Sequence, residues 1–379
     1  MPHHIPKIAV VIPKYGLVGG AEGYAAQVTE IVALNSKYDI HVFANQWYSH
    51  SNLITFHKVP IINFPKFLTT ISFAYFAGRK MAQMNFDLIH THDRIFDADI
   101  YTMHGIPHET WITDVRKKKR LSLFDWSTRW VEKKMVTGGR CRQFLAVSDL
   151  AKEMFLREYP VDPQQVSVVH PGIHLRKIDK IGREKYRQDI RKQFAISTTD
   201  VIILFVSMNF DIKGLDAVMQ SVARLKLRNE AEKFKLLVVG KGNEKYYRRL
   251  SHDLGIQDEV VFSGVVGKET LEHIYLASDI YLMLSKFDTF GLVILEAMGA
   301  SLPVVVSGNV GAKDLITQGI NGFVIEERAA IDSASEKIGL LLNKEVRMRT
   351  GEAGYKSALN NTWEAVAKKY ERIYDELLR

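Results

Sequence analysis

One cysteine, Cys141, stands in 379 residues. A lone thiol excludes an internal disulfide and a zinc site built on cysteines, and it fits a reducing compartment. Long apolar runs are missing too. No segment reaches the roughly 18–20 uncharged apolar residues of a transmembrane helix. The opening MPHHIPKIAVVIPKYG runs directly into a strand pattern, without the charged start, apolar core and cleavage site of a signal peptide. A cytosolic protein is expected. No HExxH occurs, and the first loop lacks the GxGxxG fingerprint, which argues against a dehydrogenase. With 46% hydrophobic and 25% charged residues, a disordered chain, a collagen and a coiled-coil rod are excluded.

What is present is charge of uneven placement. The net +8 and pI near 9.2 point to nucleic acid or an anionic membrane without choosing. Residues 114–134 hold eight Lys/Arg against three Asp/Glu, and residues 176–192 hold the same. The remainder is slightly acidic. The chain therefore carries two basic patches and is not basic throughout.

Short apolar runs alternate with helical patterns. Lys7–Pro13, Ile40–Ala44, Asp87–Thr91, Ile100–Met103 and Phe144–Val147 read as buried strands, with helices over 22–34 and 67–84. The pattern restarts at Val201–Val206 and continues through Leu236–Val239, Val260–Phe262, Ile280–Leu284 and Val304–Val306, with helices between. Fully apolar strands separated by helices predict parallel sheets covered on both faces. The chain length suits two domains. The expected division is an N-terminal domain, 1–172, and a C-terminal domain, 173–360, with a last amphipathic helix in 361–379 packing back on the first. Ligands of such doubly wound sheets bind at the carboxyl ends of the strands, so a cleft between two such edges is expected.

Several residues could carry chemistry at those ends. Gly19-Gly20-Ala21-Glu22 lies between the first strand and helix, where glycines let the backbone approach a phosphate at a helix N-terminus. A plain tight turn is the alternative. His90, His92, His104 and His108 cluster near two strand ends. Structural loop histidines are the bland reading of all but His104, and two His at i, i+2 are a weak metal signal. Lys213 on the loop after Val201–Val206 is placed to neutralise a diphosphate, or it is simply solvated. The most specific stretch is Asp288-Thr-Phe-Gly-Leu-Val-Ile-Leu-Glu296. Phe290 and Gly291 lead into a helix whose Glu296 could accept both hydroxyls of a ribose. The backbone N–H groups of Gly291 and Leu292 would face a phosphate, unless the stretch is an ordinary capped helix.

Taken in order, these motifs resemble those of the family-4 retaining glycosyltransferases of GT-B fold. GGAE follows strand one; AVSDLAKE (146–153) resembles the serine-bearing element closing the first domain, and HPGI (170–173) the hinge turn. Lys213-Gly214 matches the phosphate lysine, Asp288–Glu296 the E-x7-E motif, and SLPVVVSGNVGAKDLITQGINGFVI (301–325) the closing signature. The resemblance implies an α/β GT-B enzyme that moves a hexose, expected to be glucose, from a nucleotide sugar, expected to be UDP-linked, with retention. It implies that Lys213 binds the diphosphate, Glu296 the ribose and Asp288 the sugar. Gly20, Phe290, Gly291 and Leu292 would complete the donor site, and His104 would lie at the reacting centre. No metal or cofactor is implied. Within the family, FVSMNFDIKGLD (205–216) and PGIHLRKIDK (171–180) are most similar to the glucosyltransferases that act on heptose of the lipopolysaccharide inner core. Two departures stand out: Asp288 replaces the usual Glu, and no Arg accompanies Lys213.

Lys117-Lys118-Lys119-Arg120 is followed by Leu121, Leu123, Phe124, Trp126, Trp130 and Met135. Cations beside aromatics suit an interfacial helix on an anionic membrane, and a solvated helix with aromatics in the core is the alternative. No RNA-binding signature is present. The expected partners are a nucleotide-sugar donor, a glycolipid or lipid-linked glycan acceptor and an anionic membrane, with the protein peripheral on the cytosolic face of the inner membrane; nucleic acid is not expected. The 176–192 patch reads as a linker and solvated helix. A different GT-B acceptor, or a degenerate non-catalytic binding subunit, is the competing expectation.

Overall fold

The computed structural model describes all residues except 1–4, 18, 176–179, 229–232 and 328–329. The chain forms two compact units, Met1–Gly172 with Asn361–Arg379, and Ile173–Asn360.

The first unit is built on seven parallel strands: β1 (Lys7–Val11), β2 (Asp39–Ala44), β3 (Ile54–Lys58), β4 (Leu88–Thr91), β5 (Ile100–Met103), β6 (Gln143–Ala146) and β7 (Val166–Val168). Their order is β3-β2-β1-β4-β5-β6-β7, with Ile8 registered against Ile40 on one side and Leu88 on the other. Ile8–Val11 are at most 1% exposed. Burial of Ile8, Val10 and Val11 contributes about 1.5–3 kcal/mol each, which explains why a run without alternation becomes a central strand. Helices α1 (Gly20–Leu34), α2 (Leu68–Met81), α3 (Leu123–Thr137) and α4 (Asp149–Glu158) belong to this unit.

The second unit begins with helix α5 (Lys180–Gln193). Its strands are β8 (Val201–Ser207), β9 (Phe234–Gly240), β10 (Val260–Gly264), β11 (Ile280–Met283), β12 (Val304–Ser307) and β13 (Gly322–Ile325). All are parallel, in the order β10-β9-β8-β11-β12-β13. Helices α6 (Leu215–Arg228), α7 (Glu244–Asp253), α8 (Lys268–Ala277), α9 (Leu292–Gly299), α10 (Ile331–Leu342) and α11 (Lys344–Leu359) accompany them. In each unit the chain moves outward from a central strand, reverses, and builds the other side. The loops at that reversal follow β1 and β4 in the first unit and β8 and β11 in the second.

The last helix, α12 (Trp363–Leu377), belongs to the first unit. Trp363, Val366, Tyr370 and Tyr374 recur on one face and are buried. Tyr370 Oη lies 2.9 Å from Tyr24 Oη on α1, and Lys37 pairs with Asp375 at 2.5 Å. The apolar face and the polar tips of the tyrosines therefore dock together.

The reading of 176–192 as a solvated linker helix is corrected for its arginines, whereas Lys185 and Lys192 are exposed. Residues 176–179 lie outside the described residues, but the arginines of α5 point inward. Arg187 donates to both oxygens of Asp279 at 3.0 and 3.2 Å, and Arg191 reaches Asp279 at 3.2 Å and the Asp200 carbonyl at 2.8 Å. Arg183 donates to the Ala300 carbonyl at 2.9 Å. Asp279 also accepts from the Ile202 N–H at 2.9 Å. A buried carboxylate at the start of β11 has drawn the cations in, because a buried charge without partners is costly.

Candidate functional site

In the second unit the chemistry gathers at the carboxyl ends of β8 and β11. After β8, Ser207 Oγ accepts from the Asn209 N–H at 2.8 Å, and Asn209 Oδ1 accepts from the Ile212 N–H at 3.2 Å. The Lys286 N–H and Ser285 Oγ both donate to the Ile212 carbonyl, at 2.8 and 3.0 Å. These bonds stitch the Lys213 loop to the loop after β11. Lys213 Nζ lies 2.5 Å from Asp288 Oδ2. Asp288 is itself fixed: its N–H donates to the Asn309 carbonyl and its carbonyl accepts from the Gly311 N–H, both at 3.0 Å.

Gly291 then turns the chain with φ +94°. That left-handed conformation favours glycine, and an added Cβ would also crowd the tip of Ile294 at 3.0 Å. Helix α9 starts immediately after it, and its first N–H groups have no partner within the helix. One and a half turns on, Glu296 accepts from Tyr275 Oη at 2.9 Å. Burial raises the Glu296 carboxyl above its usual range, and the Tyr275 hydrogen bond opposes that rise. Beside these groups a hollow of about 290 Å³ is lined by Asn209, Phe210, Asp211, Asn243, Tyr246 and Tyr247. One cation, two carboxylates and a helix N-terminus thus share one sheet edge. Such a set can hold a diphosphate and the hydroxyls on either side of it. The Arg absent beside Lys213 has no replacement within the loop; Lys286, the nearby cation in sequence, pairs with Asp211.

In the first unit, β4 and β5 bring three of the four histidines together. His90 is fully buried between Thr102 Oγ1 at 2.8 Å and Tyr374 Oη at 2.7 Å, a structural part of the sheet-to-α12 contact. His92 Nδ1 lies 2.9 Å from His104 Nε2, with the rings stacked. Burial lowers all three: His90 and His104 to about 3, and His92 well below its ordinary value. They are neutral hydrogen-bonding groups near pH 7. Tyr24, one turn into α1 after Gly20, packs edge-on against His104 with centroids 4.8 Å apart, so the Gly-Gly helix start and His104 are neighbours. His108 departs from this group. It bonds Asp125 Oδ1 at 3.2 Å and gives its backbone N–H to Glu132 at 3.0 Å. Among the described residues, no group of three or more His, Cys, Asp or Glu is arranged to hold a metal ion.

Those two acids belong to α3, which is partly inverted relative to an ordinary surface helix, with Val131, Met135 and Val136 buried in the usual way. Asp125 and Glu132 are 3% and 2% exposed, while Leu123, Trp126 and Trp130 are 70%, 56% and 40% exposed. Glu132 accepts from Arg94 Nε at 2.5 Å and Tyr159 Oη at 2.8 Å. Burial pushes the Asp125 carboxyl up, but bonds from Ser122, His108 and Lys118 outweigh it and hold the group well below the usual range. Ser122 and Asp125 form a reciprocal capping box. Lys117, Lys118, Lys119 and Arg120 are exposed just ahead of it. Trp126 and Trp130 are therefore not core residues, whereas Met135, grouped with them in the sequence, is buried.

Tyr275, Ser285 and Asn209 escaped the sequence reading. An Asn two residues past a strand end is a recognisable turn signal, but Tyr275 and Ser285 carry none, because they act across the fold.

Residues 18–177 match the family model Glycosyltransferase Family 4, and residues 186–357 match Glycosyl transferases group 1. Together the two models span nearly the whole chain. An uncharacterized glycosyltransferase of Methanocaldococcus jannaschii is 27% identical over 340 residues, 84% of each chain. Among solved structures, WaaG, a glycosyltransferase involved in lipopolysaccharide biosynthesis, superposes with a TM-score of 0.77 at 20% identity, covering 97% of this chain and 99% of that one. HepE of Anabaena in complex with UDP-glucose gives a TM-score of 0.70 at 15% identity, covering 98% and 99%.

Proposed function

We propose that this chain, which belongs to the group 1/family 4 glycosyltransferases of GT-B fold, moves glucose from UDP-glucose, with retention, to a membrane-borne glycan such as a lipopolysaccharide core. The observation that carries the donor half is the Lys213–Asp288 pair beside the helix start at Gly291, with Glu296 further along that helix. Lys213 and the α9 N-terminus bind the diphosphate, Glu296 accepts the ribose hydroxyls, and Asp288 accepts from the sugar. Phe290 and Leu292 shape the turn around the phosphates. The C1–O bond to the diphosphate breaks with its electron pair left on the phosphate oxygen. The acceptor oxygen bonds C1 on the same face and its proton passes to that phosphate. Developing negative charge is met by prearranged donors, the usual source of the largest catalytic gain. HepE of Anabaena, similar in fold, is solved in complex with UDP-glucose, which supports the choice of donor.

The membrane-borne acceptor is supported by the inversion of α3. Aromatics that face outward over a basic stretch match a helix lying in an anionic interface. No helix among the described residues is long and apolar enough to cross a membrane, so attachment is peripheral in this reading, on the cytosolic face of the inner membrane.

A thermal-shift screen with UDP-glucose, UDP-galactose, GDP-mannose and ADP-glucose tests the donor half. UDP-glucose is expected to stabilise most and to be slowly hydrolysed, with both effects lost in Lys213→Ala and Glu296→Ala. Stabilisation by none of the four would instead make the chain a non-catalytic binding subunit.

A further inference from the structure

Lys213 Nζ and Asp288 Oδ2 lie 2.5 Å apart, with side chains 23% and 18% exposed. Neither partner is a loose surface group. The Lys213 loop is tied through the Ile212 carbonyl to Ser285 and Lys286. Asp288 is clamped through its backbone to Asn309 and Gly311. We propose that Asp288 makes the site distinguish the sugar-bearing donor from the nucleoside diphosphate left after transfer, and so promotes product release. This rests on the reading of the second unit as the donor site.

An ammonium carries three donors, so Lys213 can hold a phosphate oxygen and Asp288 at once. The phosphate on Lys213 is then the carboxylate's near neighbour in a partly desolvated site, where like charges repel strongly. In a nucleotide sugar the terminal phosphate is esterified and carries a single negative charge. The sugar attached to it offers hydroxyl donors to Asp288. After transfer, the C1–O electron pair remains on the terminal phosphate. The acceptor's proton is shared with solvent, because a phosphate monoester titrates near pH 6 and carries about −1.5 to −2 at pH 7. The carboxylate thereby loses its hydroxyl donors and gains a more highly charged neighbour in one event. Only one cation is paired with Asp288 among the described residues, and the second cation common in the family is absent beside Lys213. The extra charge on the product is met by Lys213 and the α9 helix start, and Asp288 stands against it. A carboxylate placed here favours the donor while it holds its sugar and disfavours the product afterwards.

Titration calorimetry of the full chain with UDP and with UDP-glucose reads this directly. Asp288→Asn keeps the size and a hydrogen-bonding oxygen but removes the charge. It is expected to bind UDP at least ten-fold tighter and UDP-glucose no tighter, and UDP inhibition of donor hydrolysis should strengthen in parallel. Asp288→Glu, which restores the charge, should keep the wild-type ratio. Asp332→Asn removes one charge from a surface pair with Arg224 and Arg228 and should change neither affinity. If Asp288→Asn leaves the ratio of the two affinities within two-fold of wild type while Lys213→Ala weakens UDP, the donor-site reading stands and the role given to Asp288 is wrong. If the wild type binds neither compound, the donor-site reading fails, and the role of Asp288 falls with it.

Discussion

Residues 114–134 and 176–192 have the same formal charge, eight cations against three acids, and the fold treats them oppositely. In the first, Lys117–Arg120 and the tryptophans of α3 face outward while Asp125 and Glu132 are buried. In the second, Arg183, Arg187 and Arg191 turn inward onto carbonyls and Asp279. Charge count therefore says nothing about which way a basic segment faces. What decides is where the opposing carboxylate sits. Glu132 lies on α3 itself and is satisfied by Arg94 and Tyr159 from elsewhere, so it draws in none of the cations of 117–120. Asp279 lies on β11 and recruits the cations of α5.

The largest effect that sharpens this contrast is loss of the buried acid. Asp279→Ala leaves the nearly buried Arg191 without its counter-charge. Removing one partner of a buried pair costs about 3–5 kcal/mol, so urea unfolding should show a drop of that order. A loss below about 1 kcal/mol would mean that the α5 arginines are solvated after all.

Next in size is a difference in acid sensitivity. His90 is held to about 3 by burial, against roughly 6.5 in an unfolded chain. Its folded value is lowered, so its stabilisation is full above about pH 6.5 and is lost as pH falls toward 3, where the unfolded state binds the extra proton. Between pH 6.5 and 5 this amounts to about 2 kcal/mol. Stability measured across that range should fall by at least this much, and His90→Asn should reduce the fall by about that amount, with His92 and His104 keeping the remainder. A wild type as stable at pH 5 as at pH 7 would contradict the buried neutral histidine.

Smallest is the effect of the outward cations on folding. Changing Lys117, Lys118, Lys119 and Arg120 together to Ser should cost less than about 1 kcal/mol, since exposed cations contribute little to folding and Asp125, the buried partner of Lys118, keeps its bonds from Ser122 and His108. A larger loss, read by the same urea titration, would place these residues in the structural framework.

Much of the fold is legible in the chain. Uninterrupted apolar runs such as Val201–Val206 and Ile100–Met103 become central strands, and Trp363-x2-Val366-x3-Tyr370 marks the docked face of α12. The strand Ile54–Lys58 is not legible, because ITFHK sits at a sheet edge and only Ile54 is buried. The helical stretch after residue 330 likewise shows no strand punctuation to frame it. At the site, the Asp288–Gly291–Glu296 spacing places two carboxylates on either side of a helix start. The partners that tune them do not show. Tyr275 meets Glu296 across 21 residues, and the Arg191–Asp279 pair spans 88. The inversion of α3 is hidden for a further reason: helical periodicity normally reads tryptophans as core, and only the Ser122–Asp125 cap hints that the polar face is the anchored one.

Vesicle co-sedimentation separates the proposed membrane face of residues 114–134 from the segment whose Arg183, Arg187 and Arg191 turn inward. The wild type should pellet with vesicles rich in phosphatidylglycerol and stay in solution with phosphatidylcholine, and Trp126→Ser with Trp130→Ser should abolish pelleting without unfolding the protein. Equal pelleting with both vesicles, or none with either, would contradict the account.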